Sequence, residues 1–131
     1  MARKKAPTLT EAELKIMDVV WRLGEATVAD VVTSQNETPP LAYNTILTTM
    51  RILEQKGYLD RDKAGRAHVY RSAITRQEAR SRAVKQVVKS FFENSPELLM
   101  LNILKDESLT PAERKRLKAM MDEAGESQQN R

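Results

Sequence analysis

The sequence contains no cysteine, a single histidine and no long apolar run, and each absence removes a class of chemistry. Without cysteine there can be no disulfide, thiolate metal site or cysteine nucleophile. His68 falls in an expected strand with no second histidine to complete a zinc site, and it reads as structural or phosphate-proximal. Neither a metal nor a cofactor is expected. No segment approaches the roughly 18 apolar residues of a membrane span. The basic start Met1-Ala2-Arg3-Lys4-Lys5 leads into Ala6-Pro7-Thr8 rather than into the apolar stretch of a signal peptide. A cytoplasmic protein with no membrane insertion is expected. The carboxylates Asp18, Asp30, Glu54, Asp60 and Asp62 are scattered, with no acid-base pairing, glycine-rich phosphate loop or activated nucleophile, so the chain does not read as an enzyme.

What is present is enough to build a core. Of 131 residues, 40% are hydrophobic and 31% charged, which places the chain among folded proteins of one ordinary domain or one small domain with an appendage. The net charge of +4 permits a polyanionic partner without requiring one. Thr10-Glu11-Ala12-Glu13 is a capping box, and Ile16, Met17, Val20, Trp21 and Leu23 follow at helical spacing, so a helix is predicted over 11–23 with Gly24 ending it. Thr27 and Asp30 repeat the cap before Val28, Val31 and Val32, a short second helix. Asn36-Glu37-Thr38-Pro39-Pro40 marks a turn. A third helix starts near Leu41 and closes at Gly57. Ile46, Met50 and Leu53 share one side of it, while Asn44, Thr48, Arg51 and Gln55 cluster opposite with no acidic group among them.

Residues 58–63 and 67–72 read as two strands around Lys63-Ala64-Gly65-Arg66, a β-hairpin ringed by Arg61, Lys63, Arg66 and Arg71 and partly offset by Asp60 and Asp62. Short helices followed by a basic hairpin are the parts of a winged helix, in winged order. The polar face of the third helix suits base and phosphate contact, because Arg can pair with guanine and Asn or Gln with adenine; the competing reading is a solvated helix face. Tyr43 and Thr45 are placed for groove-wall or phosphate contact, or else for capping and packing. Lys63 and Arg66 fit phosphate or the minor groove, and Lys4 and Lys5 form either a DNA-tracking arm or an unstructured terminus. The expected DNA-binding residues are therefore Tyr43, Asn44, Thr45, Thr48, Arg51, Gln55, Lys63 and Arg66. Trp21, Phe91 and Phe92 are read as core.

Beyond residue 73 the pattern is helical throughout. Thr75 and Glu78 cap a helix carrying Ala79, Ala83, Val84, Val87, Val88 and Phe91. Ser95-Pro96-Glu97 opens a second, almost wholly apolar helix with Leu98, Leu99, Met100, Leu101, Ile103 and Leu104. Thr110-Pro111-Ala112-Glu113 caps a third, with Leu117, Met120 and Met121 inward and Gly125 at its end. Three such helices cannot bury this surface alone. Five apolar side chains left wet would forgo about 7 to 15 kcal/mol, as much as a whole domain's stability. A homodimer through Val84, Val87, Val88, Phe91, Leu98, Leu101, Leu104, Leu117 and Met120 is expected. The organisation is thus a flexible basic segment at 1–8, a winged helix-turn-helix domain at 9–73, a helical dimerisation domain at 74–124 and a disordered tail at 125–131. The fold class is mainly α with a small β-hairpin.

The stretches Leu9-Thr10-Glu11-Ala12-Glu13 with Trp21, Tyr43-Asn44-Thr45-Ile46-Leu47-Thr48, Lys56-Gly57-Tyr58-Leu59, Gly65-Arg66-Ala67 with Tyr70, and Leu109-Thr110-Pro111-Ala112-Glu113 carry a resemblance over about Leu9 to Glu123. The chain resembles the penicillinase-repressor family of bacterial regulators. The resemblance implies a homodimeric transcriptional repressor with its third helix in the major groove of a pseudo-palindromic double-stranded operator, Thr45 and Thr48 lying on that helix. It also implies a membrane sensor-protease as partner and release by cleavage at an Asn-Phe bond. Here the matching pair is Asn102-Ile103, so Asn is kept and Phe is not. The family commonly has Arg where this chain has Ile52, and Arg51 moves that charge by 100° around the helix. A copper-responsive branch carries C-terminal cysteines, which this chain lacks. Two other readings stay open: a winged-helix adaptor for proteins, and a small-molecule-responsive regulator whose apolar C-terminal half is the pocket.

Overall fold

The computed structural model describes residues 8–62 and 69–129, with side chains as far as Glu126. Its first helix, α1 (Glu11–Leu23), begins where Thr10 and Glu13 exchange side-chain and backbone hydrogen bonds and ends at Gly24, whose φ of 89° suits a residue without Cβ. A short strand β1 (Glu25–Thr27) follows, and Thr27 with Asp30 forms a complete capping box for α2 (Val28–Ser34). Then come α3 (Tyr43–Gln55), β2 (Leu59–Arg61) and β3 (Val69–Ser72). Gly57, at φ 88°, turns the chain from α3 toward β2.

The three strands form one antiparallel sheet in the order β1-β3-β2, with Ala26 and Arg61 opposite Tyr70 on either side. The expected two-stranded hairpin therefore has a third strand, supplied from between α1 and α2. The turn around Gly65, with Lys63, Arg66 and His68, lies outside the described residues. The core is shared by all of these elements: Met17 and Val20 of α1, Val28 and Val31 of α2, Met50 and Leu53 of α3, and Tyr58, Leu59 and Tyr70 are all but sealed from solvent. Helix-turn-helix followed by a small sheet of this strand order is the winged-helix architecture.

The compact unit built on this core runs to Gln86, where the sequence reading ended it at 73. The reason lies in the first turns of α4 (Arg76–Phe91), which are tied to the winged helix by side chains. Arg76 pairs with Asp18 at 2.7 Å and stacks over the Trp21 ring at 4.9 Å, and Arg82 lies over the Tyr58 ring at 5.2 Å. The indole N–H of Trp21 donates to Ser72 Oγ and to the Ile74 carbonyl, both at 3.0 Å. Trp21 is thus half-buried, packed against the core as expected and placed at its junction with α4.

The second unit starts at Val87. After Phe91 the chain turns through Glu93 and Asn94, both with positive φ (52° and 61°), and the Asn94 N–H reaches the Val88 carbonyl at 3.0 Å. Ser95 caps α5 (Pro96–Leu104) and Thr110 with Glu113 caps α6 (Pro111–Gln129). The N–H and hydroxyl of Thr110 hold the Glu113 carboxyl below its usual pKa. Arg114 ties the two helices by donating to the Leu104 carbonyl at 2.8 Å. α6 continues past Gly125 to Gln129, where the sequence reading ended the helix at Gly125. A glycine inside a helix costs only about 1 kcal/mol, and no proline or cap follows to stop it.

Candidate nucleic-acid interface

The turn that aims α3 is closed by one side chain. Gln35 donates from Nε2 to the carbonyls of Val32 and Leu41 (3.0 and 2.9 Å) and accepts from the Leu41 N–H at 2.7 Å. Nothing in residue spacing marks this glutamine, and sequence reasoning missed it. Ala42 precedes α3 without a side-chain cap, so the first N–H groups of this helix receive no capping acceptor from it, an arrangement that favours an anion. The other end of α3 is fastened by Lys56, whose ammonium reaches both oxygens of Glu13 at 2.7 and 2.9 Å. Burial pushes the Glu13 carboxyl up, but hydrogen bonds from Lys56 and from the Thr10 N–H, with the charge of Lys56, together hold it below the usual range.

Between these two fastenings α3 turns Ile46, Met50 and Leu53 into the core. Tyr43 (43% exposed), Asn44, Thr45, Thr48, Arg51 and Gln55 all face solvent, as the sequence pattern required. Among the described residues, the side chains of Asn44, Thr48 and Gln55 find no hydrogen-bond partner within the chain. Thr45 offers its carbonyl to the Thr49 hydroxyl at 3.0 Å. Glu54 is the acidic residue of α3, and Arg61 of β2 draws it to the flank, Nε to Oε2 at 3.8 Å. The outward face of α3 is therefore mostly polar, with Ile52 exposed among its polar side chains, open to a partner and free of carboxylate. Lys63 and Arg66, the wing positions expected to meet DNA, lie outside the described residues, as do Lys4 and Lys5.

The described residues hold no cluster of His, Asp or Glu able to bind a metal ion, and none of their helices is long and apolar enough to cross a membrane. The nine positions expected to pair two copies are unevenly covered. Val84, Val87, Leu98, Leu101, Met120 (62%) and Phe91 (77%) are exposed, Leu104 and Leu117 are half-buried, and Val88 is buried at 9% within its own chain. Phe91 is thus not core within the single chain, and Phe92 is only half-buried. No residue of α5 is buried. Asn102 and Ile103 are exposed near the end of that helix.

A model of the penicillinase repressor family matches residues 9–123. The chain belongs to the penicillinase repressor family. The match spans both compact units, and the family is one of DNA-binding transcriptional repressors, not enzymes. The penicillinase repressor of Bacillus licheniformis is 27% identical over 120 residues, covering 92% of this chain and 94% of its own. The methicillin resistance regulatory protein MecI of Staphylococcus aureus is 21% identical over 118 residues, covering 90% of this chain and 96% of its own. Among solved structures, Bacillus licheniformis BlaI, in its monomeric form in complex with the blaP half-operator, is 32% identical. It aligns with a TM-score of 0.47, covering 58% of this chain and 93% of that one.

Proposed function

We propose that this repressor acts as a homodimer on a pseudo-palindromic operator, each copy laying the outward face of α3 in the major groove. The observation that carries this is the row Asn44, Thr48, Arg51 and Gln55: exposed, polar, and held at a fixed height above the core by Gln35 at one end and the Lys56–Glu13 pair at the other. Asn, Gln and Arg are the side chains whose paired donors and acceptors match adenine and guanine edges. The open N–H groups at the start of α3, beside Tyr43 and Thr45, suit a phosphate, which would set the register. Lys63 and Arg66 are assigned to the backbone or minor groove from the wing.

Dimerisation is assigned to the exposed apolar side chains of α4, α5 and α6, because the unit from Val87 has too little interior of its own to cover them. Release is assigned to cleavage at Asn102–Ile103 by a membrane sensor-protease. That bond lies in the final turn of α5, which must unwind first, since proteases take extended chain. The test of the DNA reading is enrichment from a pool of random duplexes, followed by binding of Thr48→Ala and Arg51→Ala to the enriched site. Each variant is expected to lose about 1 to 3 kcal/mol per base contact. Unchanged affinity in both would end the assignment of α3 to the groove.

A further inference from the structure

Tyr70 sits in β3 with its side chain wholly buried, and its hydroxyl has no hydrogen-bond partner. Buried phenols ordinarily find one, because an unpaired hydroxyl away from water is costly. Arg61 lies directly opposite Tyr70 in the β2–β3 register, so both side chains leave the sheet on the same face. Arg61 is also the partner of Glu54, which turns that face toward α3. Arg51 stands one helical turn before Glu54, on the edge between the outward face and this flank. The electrostatics of the hydroxyl agree with this placement: burial, then Glu54, raises its pKa, while the charges of Arg61 and Arg51 pull it down, with Arg51 also approaching it as a donor short of a full hydrogen bond.

A guanidinium that reads guanine commits two N–H groups to the base and leaves the others facing back toward the protein. Those need an acceptor. On this side of α3 two are at hand, the Tyr70 oxygen and the Glu54 carboxylate, and Glu54 is held by Arg61. Were Glu54 free, its spacing of three residues from Arg51 would let it fold the guanidinium back along the helix.

We infer that the Tyr70 hydroxyl is a positioning group for Arg51, accepting a hydrogen bond from the inner edge of the guanidinium while its outer edge meets a base. Tyr70 touches no DNA and sets base preference only through Arg51; Arg61 offers the nearby Glu54 carboxylate a partner other than Arg51. This rests on the reading of α3 as the groove helix. The test uses the full chain and its Arg51→Ala, Tyr70→Phe and double variants against a duplex enriched from a random pool, and against the same duplex with each base pair changed in turn.

Tyr70→Phe is expected to melt no lower than the parent, since it removes only an unpaired hydroxyl, and to keep its affinity for random duplex and its salt dependence. It should lose roughly three- to tenfold of preference at the base pair where Arg51→Ala loses its own, and the double variant should bind no worse than Arg51→Ala. Losses that multiply in the double variant, or a Tyr70→Phe preference identical to the parent's, would overturn the inference and leave α3 in the groove. Were Arg51→Ala itself to change no base preference, Arg51 would not be a reading residue and the inference would fall with that assignment.

Discussion

Glu13 is one carboxylate with two tasks, both done from a buried position: it returns the cap to Thr10 at the start of α1 and it neutralises Lys56 at the end of α3. Its pKa in the folded chain lies below the ordinary value of 4.5, so its contribution is fully present above the unfolded pKa and fades as pH falls through the folded one. Glu13→Gln should therefore cost about 1.5 to 3 kcal/mol in urea unfolding at neutral pH. The gap between variant and parent should narrow as pH falls below the ordinary carboxylate range. A gap that persisted in acid would mean that packing, not charge, holds the site. Gln35 acts on the other side of the same helix. Gln35→Ala removes three hydrogen bonds from the α2–α3 turn and is expected to lower stability by about 1 to 2 kcal/mol. It should weaken operator binding further than the melting point alone explains, because the start of α3 is then unpinned. Equal affinity at a temperature where both proteins are folded would refute that role.

Among the described residues, the turn between α4 and α5 is where side-chain-bearing residues adopt positive φ. Glu93 adopts φ 52°, a conformation that costs a residue with Cβ about 1 kcal/mol or more, while Asn94 beside it tolerates φ 61° more readily. Glu93→Gly should raise the unfolding midpoint, by about 0.5 to 1 kcal/mol after the glycine's own entropy is counted. A lower midpoint would show that the Glu93 side chain stabilises the turn. Elements marked by caps were legible in the sequence: Thr10 with Glu13, Thr27 with Asp30, Thr75 with Glu78 and Thr110 with Glu113 each opened a helix where the spacing put it. The polar face of α3 was legible for the same reason, since a period of 3.6 fixes which side the core leaves free. β1 was not. Glu25, Ala26 and Thr27 have no alternation to read, and they form a strand only because β3 offers them an edge. The extent of the first unit along α4 was hidden as well, because Arg76 and Arg82 look like solvated charges until the rings of Trp21 and Tyr58 are beneath them.

For the whole molecule, binding strength is expected to come from two copies acting on two half-sites. Leu101→Asp places a charge on the apolar surface of α5 and should shift the mass in solution toward a single chain. It should leave half-site affinity intact while the full operator loses on the order of a hundredfold or more, the avidity of a linked second site. Retention of the dimer would move the interface elsewhere. The junction at the base of α4 carries its own reporter of how the repressor lets go. The chain has one tryptophan, and its indole is bonded to Ser72 and Ile74 and covered by Arg76. Its fluorescence is therefore a built-in gauge of that junction. A signal that works by loosening α4 from the wing should shift the emission to longer wavelength and open the indole to a collisional quencher before DNA is released. A signal that merely separates the two copies should leave the glow of Trp21 as it was.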